Sequence, residues 1–264
     1  MSNMIFENTW EENKRLLETK KVLIVPVGSN EQHGPALPLG TDWMIAEHLA
    51  REIGRKTDKA LVAPTVTMGH ALYHDDFPGT MAVSQVTLFN YVRELCEPML
   101  KHGITHILFI NGHGGNNNAL YDVGQYFRHK NIPVANIQWY EVAGCMRKEW
   151  GLRGHGDIGE TAMMLHVAPE TVRMDRAHIP QNKTVGNIKF LDLHRGEFEG
   201  ASVYLNLRTK DITDSGDLME FGHSADVDYS TSPAEATAEL GAAMCEACVD
   251  YAVRFIDEFV NFKF

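Results

Sequence analysis

The chain is short of positive charge: 24 lysines and arginines stand against 35 aspartates and glutamates, a formal net charge of −11. No basic footprint is available for nucleic acid or for an anionic membrane surface, so neither is an expected partner. No apolar run approaches the roughly 18 residues of a membrane-spanning helix. The stretch Met1 to Glu7 lacks the basic and apolar segments of a secretion signal, and a cytoplasmic location is the expectation. Cysteine is scarce, four in 264 residues, which leaves no disulfide framework. Cys245-Glu246-Ala247-Cys248 has the spacing of a redox or zinc pair. It falls in a helical pattern without a second pair or a nearby histidine, and reads as buried packing. GxSxG, HExxH, P-loop and GxGxxG motifs are all missing, so serine-hydrolase, zincin, ATPase and dinucleotide-binding readings lack support.

With 44% hydrophobic and 22% charged residues the composition is that of an ordinary globular protein. There is no repeat, low-complexity tract or linker, and residues 1–264 are expected to form a single α/β domain. Val22 to Val27 reads as a buried strand, followed by a loop and then a helix from Thr41 with Ile45, Leu49 and Ile53 on one face. Leu61 to Val66 reads as a second strand. Ser84 is expected to cap a helix with Leu88, Val92 and Leu95 inward. Ile104 to Ile110 is a third strand, Asn118 to Lys130 a helix, and Val134 to Tyr140 a fourth strand. Helices are also expected over Glu160 to Val167 and from Ser232, where Ser232-Pro233-Ala234-Glu235 spells a capping box. On that last helix Leu240, Met244, Ala247, Tyr251, Phe255 and Phe259 would line the buried face. Strands alternating with amphipathic helices imply a layered sandwich, a mostly parallel sheet flanked by helices. Such folds place their chemistry beyond the carboxyl ends of the strands.

Thirteen histidines are present, and several fall in those loops. Glu31 and His33 lie two apart, so an extended backbone points both the same way, and Asp42 follows at a helix start. Carboxylate and imidazole together suit zinc, manganese or iron. Asp42 could equally be a first-turn acid favoured by the helix dipole. Asn111-Gly112-His113-Gly114-Gly115 follows the third strand and reads as a close backbone approach to a ligand, or as a tight turn with an exposed histidine. His155 and Glu160 open another helix, where Glu160 is either a metal ligand or a first-turn acid and His155 a candidate proton carrier. The segment His70 to Thr80, with His74, reads as a pocket wall, a supporting hydrogen bond or a plain polar loop.

Taken together, Pro26 to Gly34, Leu37 to Asp42, Phe77 to Thr80, Asn111 to Asn116, His155 to Thr161 and Ala234 to Gly241 resemble the creatininase (creatinine amidohydrolase) family. The resemblance implies two divalent metal ions per subunit, zinc, manganese or iron, and a homo-oligomer, often a hexamer. One ion would be held by Glu31 and His113, the other by His33 and Glu160, with Asp42 bridging. His155 would be the catalytic acid or base, and His74 and Tyr140 would border the substrate. Two ions, three carboxylates and a shared hydroxide sum to a neutral assembly, which can be held in a partly dry cleft.

Two departures set the chain apart from creatininase proper, which carries a glutamate where this sequence has Gly115 and another where it has Gly154. Creatinine is therefore not the expected substrate. The expected reaction is hydrolysis of a C–N bond in a cyclic amide, a formamide or a small amide, with His155 protonating the leaving nitrogen. A ring-opening C–C hydrolase acting on a cyclic keto-polyol of inositol catabolism is the alternative, and a non-catalytic metal-dependent binding protein a further one. Residues 186–230 would decide. Their His194, Arg195, Glu197, Arg208, Asp211 and His223 suit a hydroxyl-rich ligand or a solvated surface excursion.

Overall fold

A computed structural model describes residues 1–147, 150, 154–219 and 232–264. Its centre is a four-stranded parallel sheet of β1 (Val22–Val27), β2 (Ala60–Val62), β3 (His106–Asn111) and β4 (Val134–Gln138), in the spatial order β2-β1-β3-β4. β1 and β3 are buried along their whole length because both sheet faces are covered. One face carries Val22, Ile24, Leu108 and Ile110 into a core with α2 (Thr41–Lys56), α5 (Trp139–Met146), α6 (Ile158–Val167) and α8 (Ala238–Phe259). The other carries Leu23, Val25, Val27, Ile107 and Phe109 against α3 (Gln85–Leu100) and α4 (Asn117–Arg128). The preceding α1 (Trp10–Leu17) adds Leu17 to this second core.

Five expectations shift. The second strand stops at Val62, because Pro64 has no N–H to give the ladder; the neighbouring Ala63 and Val66 still donate to Ile24 and Pro26. The fourth strand stops at Gln138, and Trp139 and Tyr140 open α5 instead. In α3, Leu95 is exposed and Cys96 takes the inward place, four residues after Val92. The Ser232 capping box closes only a turn of 3-10 helix, and α8 starts at Ala238 under its own cap, Thr237. The buried face of α8 is Gly241, Met244, Cys245, Cys248, Val249, Ala252, Ile256 and Phe259; Leu240, Ala247 and Phe255 pack half-buried against the same core, and of the expected stripe only Tyr251 is exposed.

Beyond α6 the chain forms an antiparallel sheet of β6 (Thr184–Val185), β7 (Ile188–Phe190), β8 (Arg195–Phe198) and β9 (Ala201–Tyr204). The short β5 (Gly154–His155) pairs with β10 (Leu218–Met219), the latter following α7 (Thr209–Ile212). Phe190, Leu193, Ile212 and Leu218 make a small separate core, with Tyr73 packed on it. Among the described residues no helix is long and apolar enough to cross a membrane.

Candidate metal centre

The crossover from β1 to β2 runs through α2 on one face, and that from β3 to β4 runs through α4 on the other. The loops beyond β1 and β3 therefore part in opposite directions and leave a crevice between them, where ligands of open α/β sheets bind. Glu31 and His33 enter it from the β1 loop, and His113 from the β3 loop. Asp42 arrives from above in the first turn of α2. Two glycines let that turn come so close: a side chain on Gly28 or on Gly112 would meet the backbone of Asp42–Trp43 at 2.3 Å. Glu160 comes from the first turn of α6, where the Asp157 carboxylate accepts its N–H at 3.0 Å and caps the helix.

All five side chains meet. His33 Nε2 lies 2.9 Å from Asp42 Oδ1 and 3.8 Å from Glu160 Oε1. Nδ1 of His113 lies 3.2 Å from Asp42 Oδ2, and its Nε2 is 3.2 Å from Glu31 Oε2. These contacts form two groups of three donors, Glu31/Asp42/His113 and His33/Asp42/Glu160, each with its ligand atoms within 4.8 Å of one another. Asp42 belongs to both. Every one of these residues is buried.

Such a cluster is poorly satisfied by its own polar groups. Both oxygens of Glu31 and Oδ2 of Asp42 are buried without a hydrogen bond among the described residues, which is costly unless a cation supplies the missing partner. The donors, carboxylate oxygen and imidazole nitrogen, suit a divalent first-row ion, so the cluster can hold metal. His33 is oriented for that: its Nδ1 donates to the carbonyl of Glu31 at 3.1 Å, leaving Nε2 to face the carboxylates.

Without a metal the charges balance through the histidines. Burial opposes the charge on His33, but Asp42 and Glu160 outweigh it and raise its pKa to about 10. His113 is raised to about 9, again against burial, by Glu31 and Asp42. Burial would lift Glu31, yet His113 and His74 hold it down at about 2. Glu160 goes the other way, lifted by burial to about 8 despite the pull of His33.

His155 touches the cluster from β5. Its ring lies 4.2 Å from that of His33 and stacks on that of His74 at 4.5 Å. Nε2 reaches the carbonyl of Gln32 at 2.5 Å, so it carries the ring proton and Nδ1 turns toward Glu31 Oε1, 3.8 Å away. Burial, helped by the charges of His33 and His74, pushes its pKa well below the ordinary value. His74 sits behind Glu31 rather than at an open surface, with Nε2 3.2 Å from Glu31 Oε1. Tyr140 is half-buried at the start of α5, its hydroxyl bonded to Gln138 and close to Gly114.

Three supporting residues were not singled out from the sequence. The amide of Gln32 accepts from Gly34 N–H at 3.0 Å and donates to Gly216 at 2.9 Å and to His74 Nδ1 at 2.8 Å. That leaves Nε2 of His74 to face Glu31 Oε1 as a charge contact at 3.2 Å. Thr209, on α7, approaches the same Nδ1 at 2.5 Å. Tyr73 reaches His113. Position alone offered a hint for Gln32, which lies between Glu31 and His33; Thr209 comes from a segment with no recognisable motif. Of the polar residues noted over 186–230, Arg208 pairs with Asp75 and Asp76, Arg195 with Asp192, and Asp211 caps α7. His194 packs edge-on against Tyr73, and His223 lies outside the described residues.

Residues 7–256 match the creatininase family, described as creatinine amidohydrolase. The chain belongs to the creatininase family, a family of hydrolases. The mycofactocin precursor peptide peptidase of Mycolicibacterium smegmatis is 33% identical over 62% of this chain and 64% of its own length. The match thus spans somewhat less than two thirds of that relative. The creatinine amidohydrolase of Pseudomonas putida is 26% identical over 67% of this chain and 76% of its own. A solved creatinine amidohydrolase (creatininase) superposes with a TM-score of 0.74 at 22% identity, covering 98% of both chains, and shows the shared fold.

Proposed function

We propose that this creatininase-family chain is a metal-dependent hydrolase cleaving an amide C–N bond. In this reading Glu31 and His113 hold one divalent ion, His33 and Glu160 a second, and Asp42 is shared. What carries the reading is the meeting of two three-donor groups at Asp42, with buried carboxylate oxygens that no hydrogen bond satisfies. Ions bound there would polarise a substrate carbonyl and lower the pKa of water.

The chain's own residues supply the rest. His155 is neutral, with its proton fixed toward Gln32 and a free lone pair toward the cluster, which makes it a base first and an acid second. It takes the proton of the attacking water on Nδ1 and hands it to the leaving nitrogen. His74 and Gln32 keep the Glu31 carboxylate from rotating, so its oxygens stay aimed at the cluster. Burial of the whole group excludes bulk water and strengthens each of these interactions.

The relatives support amide hydrolysis without singling out creatinine, which only some of them name. The one from Mycolicibacterium smegmatis is named a peptidase, which widens the expected substrates from cyclic and small amides and formamides to a short peptide. A relative from Thermotoga maritima, 25% identical, is named 3-dehydro-scyllo-inosose hydrolase, and keeps the C–C reading as the alternative. The family also supports assembly into a homo-oligomer, which light scattering of the purified chain checks.

The deciding experiment assays the chain, stripped of metal and then resupplied with zinc, manganese or iron, on formamides, cyclic amides, short peptides and a cyclic keto-polyol. Metal-dependent release of an amine supports the proposal. Turnover of the keto-polyol alone would transfer the same site to C–C hydrolysis. Bound metal without turnover on any of them would leave a binding protein.

A further inference from the structure

A second set of metal-ligating side chains comes together away from Glu31 and Asp42. His48 on α2, His166 in the last turn of α6 and Cys245 on α8 each offer a ligand atom, and the three atoms lie within 4.8 Å of one another. The two imidazoles meet edge to face, with centroids 5.3 Å apart. Cys245 is buried and the histidines are half-buried, so the thiol forms the floor of the group and the rings its rim. This juxtaposition overturns the expectation that no histidine accompanies the Cys245–Cys248 pair. The partners come from helices remote in sequence.

Packing holds the three in register. A side chain on Gly241 would lie 1.9 Å from the carbonyl of Ala162 and 3.0 Å from Cβ of His166, so α8 crosses α6 at close range. Cys245 follows Gly241 by one helical turn and is thereby set against His166. Cys248, in contrast, turns the other way and donates to the carbonyl of Trp139 at 3.4 Å. The two cysteines of the pair thus have different neighbours, and only Cys245 faces imidazoles.

We propose that His48, His166 and Cys245 form a further metal site, for one zinc ion or a similar thiolate-accepting divalent ion. Two imidazoles and a thiolate are a borderline-soft donor set that favours zinc over magnesium or calcium, unlike the oxygen-rich cluster at Asp42. None of the three side chains makes a hydrogen bond among the described residues, so all three are free to turn their lone pairs to an ion. Three protein ligands leave one position for water. Glu52, one turn beyond His48, is held by Arg55 and is not counted as a ligand. On binding, the S–H bond of Cys245 breaks, the sulfur–metal bond forms and the proton leaves to solvent. Burial pushes that thiol up to about 11, so without an ion it stays protonated and slow to oxidise. An ion here ties together α2 and α6, the helices whose first turns carry Asp42 and Glu160, and fastens both to α8.

Cobalt(II) tests this directly, because cobalt bound to a thiolate gives a near-ultraviolet charge-transfer band that oxygen and nitrogen ligands do not. Titrated into the metal-stripped full chain, cobalt should raise that band, and zinc should abolish it. The band should persist in Glu160→Ala and in Cys145→Ser, and vanish in Cys245→Ser. If Cys245→Ser does not fold, His166→Ala, which opens only a half-buried position, should lose the band in its place. No band in the unaltered chain, or one that survives Cys245→Ser or His166→Ala, overturns the site. Because the band comes from sulfur alone, its absence leaves the Asp42 cluster untouched.

Discussion

The hydroxyl of Tyr73 lies 3.0 Å from Nε2 of His113, in the space that a side chain at residue 115 would need. A Cβ on Gly115 would stand 2.1 Å from that hydroxyl, 2.4 Å from the His113 ring and 2.5 Å from the carbonyl of His70. The glycine and the tyrosine are therefore two halves of one arrangement. Tyr73→Phe should keep its metal and cost about 1 kcal/mol, the worth of one hydrogen bond. Gly115→Ala should do more harm, because the His70 carbonyl cannot yield and the His113 ring must turn away. Metal analysis and denaturant titration of both variants check this; equal metal content in the two would contradict it.

Metal content separates the roles of the carboxylates. If Asp42 is shared, its loss touches both ions, whereas Glu160 serves one. Beyond any ion held by His48, His166 and Cys245, purified wild-type chain should carry about two ions, as two-metal hydrolases do, Glu160→Ala about one, and Asp42→Ala close to none. Elemental analysis after gel filtration reads this out. Full occupancy in Asp42→Ala would remove that residue from the centre.

The metal-free chain should be sensitive to alkali. Folding raises His33 from 6.5 to about 10 and His113 to about 9, so their contribution is complete below pH 6.5 and lost as pH rises through those values. Glu160, lifted from 4.5 to about 8, acts in the same direction, its contribution present below 4.5 and lost as pH rises through 8. Glu31, held at about 2, contributes above 4.5 and loses that contribution as pH falls toward 2. Stability in chelator should thus decline from about pH 4.5, where Glu160 begins to act, to about pH 10, most steeply above 6.5 where the histidines join it, by several kcal/mol in order of magnitude. Bound ions replace these protons, and the loaded chain should hold its stability over the same range. Denaturation midpoints measured with and without chelator test it, and a flat metal-free profile would be the contrary result.

How much of this was legible in the sequence depends on how local each signal is. The β1 strand, the start of α2 and the glycine-bearing loop around His113 show in runs of a few residues, and the five proposed ligands all lie in such stretches. Features set by contacts between distant segments do not show. Tyr73 and Thr209 act through neighbours from other loops, and His48 and His166 meet Cys245 only once three helices have packed. On α8 the large residues of the expected stripe do meet the core except Tyr251, but the stripe missed the small Gly241 and Cys245, which the close crossing with α6 draws inward.

His155 offers the sharpest test of the proposed chemistry. It contacts the cluster through Nδ1, 3.8 Å from Glu31, and rests on His33 and His74. As a proton carrier it should be needed for turnover and dispensable for holding metal. His155→Ala should therefore retain its ions and lower kcat by about 10²- to 10⁴-fold, with KM changed much less. The replacement also removes a ring packed between two histidines, so folding must be monitored by circular dichroism at the same time. His155→Gln, which keeps the size and a donor for the Gln32 carbonyl but cannot carry the proton, should be equally slow and better folded. Recovery of turnover in His155→Gln would show that His155 only positions its neighbours, and loss of metal in both variants would make it a ligand instead.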